Sequence, residues 1–413
     1  MRIALLSTFD ILGGASKAAY RLHRGLIDKG VNSKMLVGIK TVDDRTVYSN
    51  IKKTDRVLQS LLFFLNSVPT RFYKKRRKEL FSPAWVTSPV LKMAKSDNFQ
   101  IAHLQWINNG FISIWFIKKI KKPIVWTIHD MWIFTGGCHY AGDCIKYITG
   151  CENCPVLNSN KKNDLSKWIF NRKLRNWKNQ NFTIISPSRW LAECAKQSLI
   201  LKSSRIEVIP YNINTEVYKP LDKTIARNIM NLPQSKSILL FGATNSLGDK
   251  RKGINYLVDA LQKIPLDKRN DLAVVVFGSS KPENPLITEF EITFMGEFRD
   301  DQSLSIIYSS ADVFIAPSLE DNLPLTIMES LACGTPVVAF NIGGMPDMIE
   351  HKKNGYLAIP YDTDDLIAGI QWIIEDQQRK CSLGKAARRK VMENYTTDIV
   401  IKKYIEIYSS LLP

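Results

Sequence analysis

Apolar and polar positions alternate along this chain in two rhythms. Ile3–Ser7 is a short apolar run that ends in a Gly13-Gly14 turn. Ala15, Ala18, Ala19, Leu22 and Leu26 then recur at helical spacing until Gly30, a natural helix stop. Val31–Val37 reads as the next strand, so the chain opens with a βαβ unit and a parallel sheet is expected. Ile101–Leu104, Ile124–Ile128 and Thr183–Ser186 are further strand candidates. A second series follows Pro210, with Ile238–Phe241, Ala273–Phe277, Val313–Ala316 and Pro336–Phe340 as strands. Helical segments at Gly253–Leu261, Ser303–Ser309 and Thr326–Ala332 separate them. Runs this apolar suit strands covered by helices on both faces. Two α/β series joined near Ser204–Asn214 predict two doubly wound domains with a cleft between them. At the end, Ile399, Tyr404, Ile407 and Leu411 keep helical spacing, so Thr397–Leu412 either closes the second domain or crosses back to the first.

Composition sharpens this picture. A length of 413 residues exceeds one ordinary core and fits two domains, and 45% hydrophobic residues exclude a disordered chain. Lys plus Arg minus Asp plus Glu is 57 − 39, a net charge of +18. Such a charge asks for an anionic partner: nucleic acid, an acidic membrane or a phosphorylated substrate. The Ile3–Leu6 run is too short for a signal-peptide core, and no apolar run reaches the length of a spanning helix. With seven cysteines in a chain read this way, a reducing, cytoplasmic setting is expected.

The candidate chemistry concentrates in Ala316–Asp347, APSLEDNLPLTIMESLACGTPVVAFNIGGMPD. A strand ends at Pro317, a polar loop follows, a helix opens near Leu325 and carries Glu329, and a second strand ends at Gly343-Gly344. Amides at a helix start, with the helix dipole behind them, suit a diphosphate. A carboxylate one turn inside that helix suits a ribose diol. Taken singly, Glu329 is equally a solvated helix residue and Gly343-Gly344 an ordinary turn.

Together these residues resemble the acidic-x7-Glu segment of the family 4 retaining glycosyltransferases, whose fold is the two-domain GT-B type. The resemblance implies that Glu329 holds the donor ribose and that the donor-binding loop of Leu323, Pro324, Leu325 and Thr326 turns its free amides, Pro324 having none, toward phosphate and sugar. Counting back from Glu329 puts Asp321 at the first acidic position, where the family has Glu, with the neighbouring Glu320 as its substitute. Phe241-Gly242 followed by Arg251-Lys252-Gly253 is similar to the family's loop whose lysine binds the leaving diphosphate, so Lys252 takes that role. Ala243 stands where the family often has Arg, and Arg251 shares the load. Phe277-Gly278 and Phe294–Glu297 fall where the family lines its base pocket. Gly13-Gly14 resembles the family's glycine loop. Trp126–Asp130 places His129 at a strand end, where the family's histidine faces the donor sugar, and Ser186–Trp190 also matches.

Two features lie beside that pattern. Cys138, Cys144, Cys151 and Cys154, with His139 beside the first, form a cluster within an insert at 136–155 that suits one structural zinc or a set of reduced thiols. A similar insert occurs in the subgroup resembling colanic-acid-type exopolysaccharide and capsule transferases. Val57–Val68 is rich in Leu and Phe, and Arg71–Lys78 follows as a cationic block, with Lys118, Lys119, Lys121 and Lys122 adding charge. That pairing reads either as a peripheral contact with an anionic membrane or as a buried helix before a solvated turn.

The expectation is an α/β, GT-B protein of two Rossmann-like domains, 1–205 on the acceptor side and 206–395 binding the donor, with helix 396–413 either closing the second or returning to the first. The resemblance implies a hexosyl-type, NDP-sugar-dependent retaining transferase with no catalytic metal, acting on a lipid-linked saccharide in polysaccharide biosynthesis. Its expected place is the cytoplasm, peripheral at the inner face of the plasma membrane. The rivals are a nucleotide-sugar epimerase of the same architecture and a zinc-containing nucleic-acid-binding protein, though no nucleic-acid motif is present.

Overall fold

The computed structural model describes residues 1–49, 56–88, 98–242, 249–280, 290, 292–298 and 300–413. The chain divides into two compact units, Met1–Pro210 with Ile401–Pro413, and Tyr211–Val400. The first unit contains a parallel sheet of β1 (Arg2–Phe9), β2 (Asn32–Ile39), β3 (Val47–Tyr48), β4 (Ile101–Leu104), β5 (Ile124–Thr127), β6 (Phe182–Ser186) and β7 (Arg205–Val208). Their spatial order is β3-β2-β1-β4-β5-β6-β7. The second unit contains β8 (Ser237–Gly242), β9 (Leu272–Phe277), β10 (Ile292–Phe294), β11 (Val313–Ala316), β12 (Val337–Phe340) and β13 (Gly355–Ala358), ordered β10-β9-β8-β11-β12-β13.

Every pairing in both sheets is parallel. Parallel neighbours need crossover helices, and these cover the sheets and bury the central strands on both faces. Residues 3–8 of β1 are all buried, as are the four residues of β11 and of β12. In each sheet the strand order reverses once, between β1 and β4 and between β8 and β11. At such a switch point the loops leaving the carboxyl ends of the two strands part, which opens a crevice for ligands.

The Ser204–Asn214 joint is not simply a linker, since Arg205–Val208 pairs in parallel with β6 at the edge of the first sheet. The final helix, Thr397–Ser410, packs its buried Tyr404 and Tyr408 hydroxyls against Thr127 and His103 of the first unit. Among the described residues no helix is long and apolar enough to cross a membrane.

Candidate functional site

In the second unit the loops that follow β8 and β11 meet. The Lys252 ammonium donates to Asp321 Oδ2 at 2.6 Å, and Arg251 Nη1 lies 3.8 Å from the same oxygen. Arg251 also donates to the Glu320 carbonyl and to Asp249, each at 2.9 Å, while its own carbonyl accepts from Leu319 N–H at 2.8 Å. Two glycines allow this closeness. Gly253 turns with φ 75°, and a Cβ there would lie 1.8 Å from the Pro317 carbonyl oxygen. Gly343, with φ 54°, would bring a Cβ within 2.3 Å of the Asp321 carbonyl, which also accepts from Gly344 N–H at 3.1 Å. Side chains at those positions would push the lysine loop and the acidic loop apart. The Gly343-Gly344 turn is therefore the buttress of Asp321.

Of the two acidic neighbours, Asp321 is the buried one and Glu320 is half-buried. Burial pushes the Asp321 carboxyl up, but the charges of Lys252 and then Arg251 outweigh it and hold the group below the ordinary carboxylate range. Glu329 is 3% exposed, and the Tyr308 hydroxyl donates to its Oε2 at 3.1 Å. A solvated helix residue is thereby ruled out. Burial, with the Glu329 charge beside it, pushes the Tyr308 phenol well up. Helix Leu325–Ala332 starts from Pro324, and no side chain caps its first amides. Leu323, Pro324 and Leu325 are buried there and Thr326 is half-buried. Gly278, at φ 81°, donates its N–H to the Gly296 carbonyl at 2.7 Å, so the two weakly matching segments after β9 and β10 are joined. Ala243 lies outside the described residues.

The first unit carries the remaining candidates at the carboxyl ends of its strands. Gly13, with φ 85°, precedes helix Gly14–Asp28, and a Cβ on either Gly13 or Gly14 would meet only open space. His129 follows β5, is 8% exposed, and sets its Nε2 2.9 Å from Gln105 Oε1. Burial pushes its imidazole down to about 4, so the ring is neutral near neutral pH. Asp130 accepts from Trp132 N–H at 2.9 Å, Trp106 Nε1 at 3.1 Å and His139 Nδ1 at 2.7 Å. His139 Nε2 in turn lies 2.8 Å from Ser82 Oγ. This Ser-His-Asp chain is a clamp and not a nucleophile, because Ser82 and His139 are each 1% exposed.

The clamp joins two features that the sequence presents separately. Phe81 bridges Cys138, Arg77 N–H donates to the Val156 carbonyl at 2.9 Å, and Leu165 N–H donates to the Tyr73 hydroxyl at 2.8 Å. The basic stretch thus lies along the cysteine insert. Cys138 and Cys154 are buried, Cys144 and Cys151 are half-buried, and all four are free thiols. The Cys151 sulfur accepts from Gly136 N–H at 3.1 Å, and burial pushes the Cys151 thiol up to about 12. Among the described residues no group of three or more His, Cys, Asp or Glu side chains is arranged to hold a metal ion. The buried Lys173 lies under the cysteines, donating to the carbonyls of Trp132 and Thr135, with its ammonium 3.7 Å from the centre of the Trp132 ring.

Sequence reasoning missed Gln105, His103, Ser82, Tyr308 and Lys173. The signal for the first two is readable, since His103 and Gln105 sit two apart, on one face of an otherwise apolar strand and its extension.

The chain superposes on a sucrose-phosphate synthase from Thermosynechococcus elongatus over 100% of its length and 99% of that chain, with TM-score 0.70 and 20% identity. Anabaena Alr3699/HepE, solved in complex with UDP and glucose, covers 100% of both chains with TM-score 0.66 and 15% identity. Identities this low speak for the fold alone: two Rossmann-like domains of the GT-B class. Residues 12–217 match the family described as Glycosyltransferase Family 4, and residues 222–390 match Glycosyl transferases group 1. The protein belongs to the family 4, group 1 glycosyltransferases. It is 23% identical to a putative colanic acid biosynthesis glycosyl transferase, WcaC, of Escherichia coli K12, across 97% of both chains. An uncharacterized glycosyltransferase of Methanocaldococcus jannaschii is 29% identical over 76% of this chain and 75% of that one. The match to a sulfoquinovosyl transferase of Arabidopsis thaliana, 32% identical, spans only 27% of that protein.

Proposed function

We propose that this transferase moves a hexosyl-type sugar from a nucleoside diphosphate sugar to a hydroxyl of a lipid-linked saccharide, with retention at the anomeric carbon, in surface polysaccharide assembly. The observation that carries the reading is the Lys252–Asp321 pair, with Arg251 beside it, at the switch point of the second sheet. Leaving-group departure puts negative charge on a diphosphate. Two cationic side chains and the uncapped amides of helix Leu325–Ala332 neutralise it, so no catalytic metal enters this reading. Lys252 exchanges the Asp321 carboxylate for phosphate oxygens as the donor binds, and Asp321 then accepts from a sugar hydroxyl. Glu329 takes the ribose diol, as the family resemblance implies, since a carboxylate accepts from both hydroxyls. For the first unit the resemblance implies a glycine loop at Gly13-Gly14 and a sugar-facing role for His129, whose ring is neutral. Relatives named for UDP complexes and for colanic acid synthesis support the donor class and the polysaccharide context.

The acceptor side rests on helix Arg56–Arg71 and the segment after it. Leu61, Phe64 and Leu65 are exposed, Phe72 is 82% exposed, and Lys74 to Lys78 all face solvent. A helix that buries one face and shows apolar residues on another, followed by cations, suits peripheral binding at the cytoplasmic face of an acidic membrane. The test is a transfer assay with a soluble acceptor in the presence of chelator, with product linkage read by NMR. Transfer with retained anomeric configuration supports the proposal. Inversion, a strict need for added magnesium or manganese, or release of an isomerised free donor sugar without acceptor would each overturn it.

A further inference from the structure

A chain of buried polar side chains runs inward from His129. His129 Nε2 lies 2.9 Å from Gln105 Oε1, and Gln105 Nε2 lies 2.9 Å from His103 Nε2. His103 Nδ1 is 2.7 Å from the Tyr408 hydroxyl. Thr127 Oγ1 joins the chain 2.8 Å from His103 Nε2 and 3.2 Å from the Tyr404 hydroxyl. None of His103, Gln105, Thr127, Tyr404 and Tyr408 is more than 2% exposed. Polar groups buried so deeply are costly unless each finds a partner, and these find one another. The two tyrosines come from the final helix at i, i+4 spacing, which brings both hydroxyls to one face.

With the Gln105 amide oriented as it stands, its oxygen toward His129 and its nitrogen toward His103, the protons follow. A primary amide accepts at its oxygen and donates at its nitrogen. Gln105 Oε1 therefore takes a proton from His129 Nε2, which leaves His129 Nδ1 as the accepting nitrogen. Gln105 Nε2 donates to His103 Nε2, so His103 keeps its proton on Nδ1 and donates to Tyr408. The Gln105 backbone is pinned as well: its N–H donates to the Leu6 carbonyl at 2.9 Å, and its carbonyl accepts from Trp126 Nε1 at 3.2 Å. Burial pushes His129 down to about 4 and His103 down to about 3, so both rings stay neutral, as such a chain requires.

The geometry points to Gln105 as a positioning residue that sets the tautomer and ring orientation of His129, anchored through His103 by Tyr408 of the C-terminal helix. The inference rests on the reading of His129 as the sugar-facing histidine. Gln105 touches no substrate in this account and acts through the ring it holds, as the residue behind a catalytic imidazole does elsewhere.

The test uses the full chain labelled with 15N-histidine, which carries only five such residues. NMR at neutral pH should show His129 as the Nε2–H tautomer and His103 as the Nδ1–H tautomer; either opposite tautomer overturns the proposal. Gln105→Leu should give His129 a mixed-tautomer signature and lower kcat by up to about 100-fold while the donor KM holds, because the ring is misplaced and the nucleotide site is untouched. Tyr408→Phe should shift the His103 and His129 signals in the same direction with a smaller loss of kcat. His129→Ala is measured alongside. If it is inactive while Gln105→Leu turns over normally, the positioning role fails and the histidine's role stands. If His129→Ala itself turns over normally, the reading beneath the proposal falls and takes the proposal with it. Should Gln105→Leu fail to fold, the tautomers of the native chain still decide.

Discussion

Glu329 and Lys252 are charged groups in unlike surroundings, and they make separate predictions. The Glu329 carboxylate is buried with the Tyr308 hydroxyl as one partner. If a ribose diol completes its hydrogen bonding, Glu329→Gln removes charge-assisted bonds of about 1.5–3 kcal/mol and weakens donor binding by about 10- to 150-fold. Calorimetry on the folded variant checks this, and unchanged affinity would remove Glu329 from the site. Lys252 differs, because its phosphate partner gains charge as the bond breaks. Lys252→Ala should therefore lower kcat more than it raises KM, and a pure KM effect would show that the lysine only binds. Most of this was legible, since the spacing from Asp321 to Glu329 and the Arg251-Lys252-Gly253 string can be read directly. What was not legible is contact between distant positions: nothing in the string says that Gly253 must clear the Pro317 carbonyl or that Gly343 supports Asp321.

Elements repeat this contrast between what is local and what is assembled. The expected strands all correspond to interior members of the two sheets, whose double burial makes them continuous apolar runs. The four that went unassigned, β3, β7, β10 and β13, are the outermost strands of each sheet. Arg205–Val208 and Ile292–Phe294 contain no buried residue, and Val47–Tyr48 is two residues long, so none of these leaves an apolar signature. The basic segment and the cysteine insert were read as separate devices, yet backbone bonds lay one along the other. Each cation near an acidic surface contributes about 1 kcal/mol, so several acting together would hold the chain reversibly on a membrane. Arg76, Arg77 and Lys78 to Ser should reduce co-sedimentation with anionic vesicles, with the parent's binding weakening as salt rises and nucleotide affinity unaltered. Equal sedimentation of variant and parent would make the block a solvated face. For the insert, a structural zinc held by Cys138, Cys144, Cys151 and Cys154 would give about one equivalent of metal in full chain purified without chelator, lost in Cys151→Ser. Metal-free protein with its cysteines titratable after unfolding would decide for reduced thiols.

For the whole molecule, composition bounded the answer and the site decided it. A charge of +18 admits nucleic acid, membrane and phosphorylated ligands alike. Membership of the glycosyltransferase family supports a transferase, and the diphosphate and the membrane are the uses of the basic charge that we propose. The two units divide after Pro210, and the last thirteen residues belong with the first. The central claim is that the second unit holds a nucleoside diphosphate sugar. A ligand that binds only the folded chain stabilises it by about 2.7 kcal/mol at a hundredfold excess over Kd. The direct measurement is a thermal-shift titration of the full chain with uridine, guanosine and adenosine diphosphates and their sugars, with Glu329→Gln alongside. The account predicts a concentration-dependent rise in Tm with at least one base, blunted in the variant. No rise with any of them, or an equal rise in both proteins, would contradict it.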